Sequence, residues 1–466
     1  MVNTKTAQEA VTRALSFAAR AARRVGRGSD PAGASARRGR WRGCYRPTVR
    51  LSARALNRTT LARQFLLERK RLPVVDAVRR LVALQAQEPA SPYLALWNRL
   101  RDLDPADLDA AFDSYALVKA PLMRITLHAV AAQDRAAFHR AMTSTLRAAR
   151  LNDRHFRESG LSAADADALV PHLLAFARRP RRREEIEAAL AECLGGEPHP
   201  GVWWALRTVA PLVHAPFDEP WSFGRSPAFV TAPDANDVGH GASGSVPEAI
   251  EGRGAGDGAG DTPVAVVADD GLVPVVADDG HTAAVARLVW RYLAAFGPAS
   301  RQDVAQFTLL RQGDVAPAFD ALAGRLTTHE NGHGAALYDL PDAPLSDADV
   351  PAPPRLLGMW DSVLLAYRDR GRVIPPAYRS TVIRRNGDVL STVLVDGFVA
   401  GVWRIVDGTI EVTAFHPLAD DAWDGIEREA RGLLALLDGR DGAVYGRYGH
   451  WWSKLEGAQV RMLGRG

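Results

Sequence analysis

The chain has 466 residues, of which 47% are hydrophobic, 58 are Lys or Arg and 54 are Asp or Glu. This length predicts roughly two to four domains. The sequence contains no run of about 18 uncharged apolar residues and no apolar signal core near its start, which excludes a membrane-spanning helix and argues against secretion. Two cysteines, Cys44 and Cys193, are too few for a disulfide framework and fit a cytoplasmic protein.

The positive charge is concentrated at the N-terminus. Residues 1–50 contain 12 of the Lys and Arg residues and 2 of the Asp and Glu residues, so the other 416 residues carry 46 basic and 52 acidic groups. This basic tail has little apolar periodicity and is predicted to be disordered. It could hold phosphates loosely through counterion release, or it is an inert extension. Net charge gives no support for nucleic-acid binding by the folded part.

The first predicted unit spans residues 51–145. Apolar spacing predicts one helix over 56–71 and a second that starts after Pro73 and runs to 87. A third helix is predicted over 104–114, with Asp104 as its N-cap. Residues 116–130 are typical of two short strands. Three helices followed by a β-hairpin is the order of a winged helix.

The same order recurs twice. Helices over 162–178, 181–194 and 199–210, followed by two strands, predict a second unit over 146–232. Residues 233–263 are rich in Gly, Ala and Ser and are predicted to be a flexible insertion. The third unit, 264–345, ends in a hairpin with Asn331-Gly332 at its tip. Many helical domains have this shape without contacting DNA, so the predicted fold alone does not give the function.

The C-terminal part is predicted to be different. Residues 346–354 form a Pro/Asp-rich linker, and residues 355–466 form a β-rich domain with turns at Asp396-Gly397 and Asp407-Gly408. One helix is predicted over about 421–438. The predicted fold class is therefore α+β and mainly helical, with tandem winged-helix units followed by a β-rich C-terminal domain.

Several segments together resemble a known family. They are "LNRTTLARQFLLERKRLPVVDAVRRLVALQAQEPASPYLALWNRL", "LMRITLHAV", "FGPASRQDVAQF", "LLGMWDSVLLAYRDRGRV" and "TVLVDGFVAGVWR". They resemble the winged-helix DNA-binding family of AlkZ-like proteins, over about residues 51–466 apart from the Gly-rich insertion. That family includes bacterial DNA glycosylases that remove bulky N7-alkylated purines and unhook interstrand crosslinks. The resemblance implies tandem winged helices plus a β-domain around a concave surface, with double-stranded DNA as the partner.

The family's glycosylases carry a Gln-x-Gln motif, with a Gln-x-Asp variant in a related group. Gln85-Ala86-Gln87 matches the first form, so the resemblance implies that both amides are catalytic. The residues alone leave an alternative, in which the two amides cap a helix or hydrogen-bond across a domain interface. Side chains two apart in a regular helix diverge by about 200°. The two amides therefore converge only if the helix ends near Gln87, and Pro89 favours such an end.

A glutamine can only donate and accept hydrogen bonds, whereas glycoside hydrolysis ordinarily uses an acid and a carboxylate. An N7-alkylated guanine lowers this requirement because the base is already cationic and leaves as a neutral molecule. The remaining tasks are to place a water and to stabilise an oxocarbenium-like sugar. Two amide oxygens that converge on one place could perform part of both tasks.

Two other segments are candidate DNA contacts. If 122–130 is a strand, Arg124, Thr126 and His128 lie on one face and could meet a phosphate or the target base. His128 could also be an ordinary half-exposed strand histidine. Arg368, Arg370 and Arg372 are predicted to point to one side, either toward phosphates or into a surface ion-pair cluster.

Aromatic side chains at 445–457 and at Trp203-Trp204 could stack on bases or pack in a core. The sequence shows no metal-ligand set and no cofactor motif. The function predicted is therefore that of a DNA glycosylase-like enzyme acting on bulky N7-alkylated or crosslinked purines, as a monomer without a cofactor. The alternatives are a non-catalytic winged-helix DNA-binding protein or regulator, and a protein-interaction scaffold.

Overall fold

The computed structural model describes residues 48–224, 226–233 and 280–464. Nearly all of the predicted basic tail and of the Gly-rich insertion lies outside the described residues. No helix within these ranges combines the length and the apolar character that crossing a membrane would require.

The first part of the chain contains four helices and four strands. These are β1 (Arg50–Leu51), α1 (Ala53–Arg63), α2 (Val74–Arg80), β2 (Leu84–Gln85), α3 (Ser91–Trp97), α4 (Pro105–Asp113), β3 (Leu117–Pro121) and β4 (Leu127–Ala131). The third predicted helix is confirmed, and Asp104 caps it by accepting a hydrogen bond from the backbone N of Ala106 at 2.9 Å.

The first two helices, α1 and α2, end earlier than the sequence predicted, at Arg63 and Arg80 instead of residues 71 and 87. Phe65 and Val82, which follow these ends, have φ values of 55° and 71°, which a helix does not contain. Leu84 and Gln85 pair with strand β4 instead of continuing α2. Gln85 therefore lies in a strand and not at the end of a helix.

The second part of the chain follows the prediction closely. It contains α5 (Ala132–Leu151), α6 (Arg154–Arg157), α7 (Ala163–Phe176), β5 (Arg181–Arg182), α8 (Arg183–Leu194), α9 (Pro200–Val209), β6 (Leu212–Ala215) and β7 (Ala228–Thr231). Ser162 and Asp165 form a capping box at the start of α7. The predicted boundaries agree with these helices to within two residues, because local caps define them.

The third part contains the remaining elements. They are α10 (His281–Phe296), α11 (Arg301–Thr308), α12 (Gln312–Ala321), β8 (Thr327–Asn331), β9 (Ala336–Asp339), β10 (Arg355–Leu357), α13 (Ser362–Leu365), α14 (Arg379–Val382), β11 (Thr392–Val395), β12 (Phe398–Val406), β13 (Thr409–Ala414), α15 (Asp420–Leu437) and β14 (Gln459–Leu463). The turns at Asp396-Gly397 and Asp407-Gly408 are confirmed, and all four residues have positive φ, as type I′ turns require.

The strands form three sheets. The largest has six strands in the order β2-β4-β3-β6-β7-β5. Lys119 of β3 pairs with His214 of β6, which joins the hairpin of the first predicted unit to that of the second. Strands β10 to β14 form an antiparallel sheet in sequence order, and β1, β8 and β9 form a small third sheet. Gln85 therefore lies on the edge strand of the six-stranded sheet.

The hydrophobic core does not follow the order of the chain. Leu94 of α3, Trp403 of β12 and Ile426 of α15 belong to one buried cluster. A second cluster packs α5 and α10 to α12 against the six-stranded sheet. Residues before and after the predicted 346–354 linker thus share a core. The Gln85–Gln87 segment lies where the first helices meet the C-terminal sheet.

Candidate active site

Gln85 ends strand β2, and Gln87 lies in the bend that leaves the six-stranded sheet. Gln85 is 5% exposed and pairs with His128 of β4. Its Oε1 accepts a hydrogen bond from the backbone N of Gln87 at 2.9 Å, whereas the residue Gln87 is exposed. Gln85 therefore fixes the backbone at Gln87, and Gln87 is accessible from solvent.

A small cavity lies beside Gln85. Its volume is about 10 Å³, which is about the space of one water molecule. It is lined by Gln64, Ala83, Leu84, Gln85, Ser91, Ala95, Arg99, Gly358, Met359, Asp361 and Ser362. A nucleobase does not fit in this space.

Two carboxylates lie close to the glutamines in the structure. Asp361 lines the cavity and forms a buried bidentate ion pair with Arg99, at 2.7 and 2.8 Å. Glu88 follows Gln87 directly, and it accepts hydrogen bonds from the hydroxyl of Tyr448 at 3.0 Å and from Arg447. Glu88 thus connects the glutamine turn to the 3₁₀ helix Gly446–Lys454.

The predicted alternation of Arg124, Thr126 and His128 on a strand is wrong at its first residue. Arg124 lies in a 3₁₀ turn, Met123–Ile125, with φ of 54°. Thr126 precedes β4, and its hydroxyl donates to the carbonyl of Met123 at 3.2 Å. The turn arises because the hairpin closes through Met123–Ile125 instead of running on as a strand.

His128 is fully buried and neutral. Its Nδ1 lies 3.0 Å from the carbonyl oxygen of Thr126, and its Nε2 lies 3.0 Å from Nη2 of Arg124. A guanidinium only donates, so Nε2 accepts and Nδ1 carries the proton. Burial, and then the charge of Arg124, lower the pKa of His128 to about 3. His128 is therefore in the interior, in contact with Arg124, and not at the surface.

Arg124 lies near a second cation, Arg370. Its guanidinium stacks 4.9 Å from the ring centroid of Phe307 and donates to the carbonyl of Phe307 at 3.1 Å. Burial, and then the charge of Arg370, lower the pKa of Arg124 to about 9. Burial also lowers the pKa of Arg370 to about 10. Positive charge is therefore concentrated beside β4, and a nearby anion would be stabilised there.

The predicted one-sided row of Arg368, Arg370 and Arg372 is not a strand. Arg370–Arg372 form a 3₁₀ turn that Asp369 caps, so the three side chains do not alternate as predicted. Arg368 donates to the amide oxygen of Gln302, and Arg370 donates to the carbonyl of Tyr367. Arg372 stacks 3.8 Å from the ring centroid of Tyr367. The contacts named for the three arginines are an amide oxygen, a backbone carbonyl and an aromatic ring, and none of these three groups carries a negative charge.

The basic segment 368–385 is larger than the predicted arginine set. It contains six arginines and one aspartate, adding Arg379, Arg384 and Arg385. Arg384 stacks 4.9 Å from the ring centroid of Trp451. The density of arginine in this segment is a sequence signal that could have identified all six. It shows that positive charge is concentrated in one segment although the net charge of the chain beyond residue 50 is negative.

The aromatic residues near the C-terminus are mainly structural. Tyr445, Tyr448 and Trp452 are buried in the first hydrophobic cluster. Trp203 is buried in a separate cluster. Trp451 is half-buried, and its Nε1 donates to Asp388 at 2.8 Å. Core packing therefore accounts for most of these rings.

Lys119 is a buried cation that the sequence analysis did not identify. It lies on β3, is 4% exposed, and places its ammonium 4.4 Å from the ring centroid of Phe223. Burial lowers the pKa of Lys119 to about 8, although the negative charge of Glu88 opposes this change. Within the described residues, no group of three or more His, Cys, Asp or Glu side chains is arranged to hold a metal ion.

Comparisons with known proteins agree with this architecture. The solved structure of the Streptomyces sahachiroi DNA glycosylase AlkZ matches with a TM-score of 0.66 and 23% identity, over 84% of this chain and 98% of that one. This level of identity shows a shared fold. An interstrand DNA cross-link repair glycosylase of the same organism is 39% identical over 77 residues, which are 16% of this chain and 21% of that relative. The chain thus matches about a fifth of the length of this relative.

The family model described as DNA glycosylase AlkZ-like matches residues 78–436. This range includes both glutamines, the hairpin that holds Arg124 and His128, and the whole basic segment 368–385. The resemblance found in the sequence is confirmed, and the chain belongs to the AlkZ-like DNA glycosylase family.

Proposed function

We propose that this protein is a DNA glycosylase that hydrolyses the N-glycosidic bond of bulky N7-alkylated purines, including crosslinked ones. One observation carries the proposal. The segment Gln85–Gln87 presents an exposed glutamine at the edge of a sheet, and the strand partner of Gln85, His128, contacts Arg124. The three groups of helices with hairpins β3–β4, β6–β7 and β8–β9 act as tandem winged helices, with the boundaries expected from the sequence.

In this proposal the buried Gln85 and the exposed Gln87 have different roles in hydrolysis of the N-glycosidic bond. When the C1′–N9 bond breaks, its electron pair moves to the cationic base, which leaves as a neutral molecule. The positive charge is transferred to the sugar, where the exposed amide oxygen of Gln87 faces it and orients a water. Gln85 is a positioning residue, because its Oε1 holds the backbone N of Gln87. Preorganised contacts of this kind contribute on the order of 10²-fold each to the rate.

The DNA backbone lies along the arginines in this proposal. Arg368, which is exposed, and Arg370 and Arg372, which are partly exposed, contact phosphates. Arg124 does not contact the DNA, and its positive charge adds to that of Arg370. Thr126 fixes the turn that holds Arg124, and the neutral His128 acts through its contact with Arg124. The partner is double-stranded DNA, and the protein acts as a monomer.

One observation favours the alternative of a DNA-binding protein without catalysis. Gln85 is nearly buried, and the cavity beside it is too small for a base. In this alternative the same arginines bind DNA and the glutamines only stabilise the turn.

The two functions are separated by incubating the purified protein with a duplex that carries one N7-methylguanine, and with a duplex that carries one bulky N7-guanine adduct of a nitrogen mustard, each followed by mild alkali to cleave abasic sites. A glycosylase yields a strand break at the lesion that is absent without protein. Binding of the duplex without release of the base would reject the enzyme and support the binding protein.

A further inference from the structure

We propose that Glu88 is the carboxylate of this active site, facing the sugar cation and accepting the proton of the attacking water after Arg447 has moved to a DNA phosphate. This inference rests on the proposed glycosylase function. Glu88 lies outside the Gln-x-Gln motif. The two amides of that motif cannot accept a proton, so a further group must do so.

The need for a carboxylate follows from the proton balance. The C1′–N9 bond breaks with its electron pair going to the base, and the water oxygen then bonds to C1′. The attacking water must lose one proton while the base leaves neutral. The amides of Gln85 and Gln87 cannot accept that proton at neutral pH. A carboxylate can accept it and release it to solvent, and its charge also stabilises the sugar cation.

Asp361 is near the glutamines but is already engaged. Both of its oxygens accept from Arg99, and Oδ1 also accepts from the backbone N of Val363 at 3.1 Å. The Asp361 and Arg99 side chains are each 2% exposed. Removing one partner of such a pair leaves a buried charge without compensation, so Asp361 is held in place. Its role is structural support of the cavity beside Gln85.

Glu88 is held much less firmly. Its side chain is 19% exposed, and that of its ion-pair partner Arg447 is 53% exposed. Arg447 is mostly at the surface, so a DNA phosphate can compete with Glu88 for its guanidinium. The ammonium of Lys119 then remains as the positive charge that interacts with Glu88, one residue from the exposed Gln87.

The other groups around Glu88 keep it in position when Arg447 leaves. The hydroxyl of Tyr448 donates to the carboxylate at 3.0 Å, and Tyr448 itself packs against Trp360 with ring centroids 5.2 Å apart. Lys119 on β3 interacts with Glu88 through its charge, and Tyr445 is close enough to sense that charge. The carboxylate thus keeps one hydrogen bond from a buried aromatic residue throughout the reaction.

The test uses Glu88→Gln, which retains an acceptor oxygen for Tyr448 and Arg447 but has no charge and cannot accept a proton. We expect the single-turnover rate of base release from an N7-methylguanine duplex to fall about 10²-fold. The Kd for a duplex with a tetrahydrofuran abasic analogue and the Tm should stay within twofold and 2 °C of wild type.

Two further variants control for a structural role. Tyr448→Phe removes the hydrogen bond that positions the carboxylate but keeps its charge, so its rate should fall by less than that of Glu88→Gln. Arg447→Ala removes the cation proposed to contact a phosphate and should weaken binding of the duplex with the abasic analogue. A Glu88→Gln rate within threefold of wild type would overturn the inference alone, as would equal losses in rate, affinity and Tm. A wild-type protein that releases no base would overturn the proposed function and this inference together.

Discussion

Replacing Lys119 by methionine should stabilise the protein at neutral pH and make that gain depend on pH. Lys119 is buried on β3 with its ammonium over Phe223, and burial lowers its pKa from 10.5 to about 8. At about 1.4 kcal/mol for each tenfold change, this corresponds to about 3 kcal/mol of destabilisation at pH 7.

The sign follows from proton binding. In the unfolded chain Lys119 stays protonated up to its ordinary pKa of 10.5, whereas in the folded protein it loses its proton near pH 8. The unfolded state therefore binds more protons between about pH 8 and 10, and stability rises with pH in this window. Buried tyrosines such as Tyr367, whose pKa is raised by burial, act in the opposite sense only above pH 10.

Urea denaturation of wild type and Lys119→Met at pH 7, 8, 9 and 10 measures this effect. The variant should be more stable by up to about 3 kcal/mol at pH 7, and the difference should shrink steadily toward pH 10. Lys70→Met is the control, because Lys70 is at the surface and its substitution should give a small change that is constant across this range. A difference for Lys119→Met that stays constant with pH would refute the argument, as would a loss of stability at pH 7.

Four other substitutions, one of them a control, test separate parts of the structure. Asp361→Asn should lower the free energy of unfolding in urea by about 3–5 kcal/mol, since it leaves buried Arg99 without a counter-charge, and a loss below 1 kcal/mol would contradict this role. Gly397→Ala should destabilise by more than about 1 kcal/mol, because Gly397 has φ of 79° and a Cβ would lie 2.5 Å from an arginine nitrogen. Gly313→Ala, in open space on α12, should be neutral or stabilising in the same assay. Arg368→Ala should weaken DNA binding equally across sequences and lower the slope of log K against log salt by about 0.9, and an unchanged slope would exclude a phosphate contact.

Features that depend on local chemistry could be predicted from the sequence. Asp104 caps its helix and the Asp396-Gly397 turn forms where expected, because a cap or a type I′ turn needs only neighbouring residues. The glutamine motif was found by resemblance. In the structure Gln85 is nearly buried and Gln87 is exposed.

Features that depend on distant partners were missed. Leu84 and Gln85 form a strand only because β4 supplies their hydrogen bonds, so the apolar spacing of α2 suggested a helix that was too long. The positions of Arg124 and Arg370 depend on 3₁₀ turns that pack on Phe307 and Tyr367, and no alternating pattern reveals these turns. The contact between Glu88 and Arg447 joins residues that are 359 positions apart in the sequence, so neither segment alone reveals it.

The most direct test concerns the two glutamines. Single-turnover release of N7-methylguanine from duplex DNA should be compared for wild type, the double variant Gln85→Ala plus Gln87→Ala, and Gln312→Ala, which changes an exposed glutamine on helix α12. The double variant should lose about 10²-fold or more in rate while its Kd for the abasic analogue stays near wild type, and Gln312→Ala should match wild type. Wild-type rates in the double variant would contradict the assignment of catalysis to this turn.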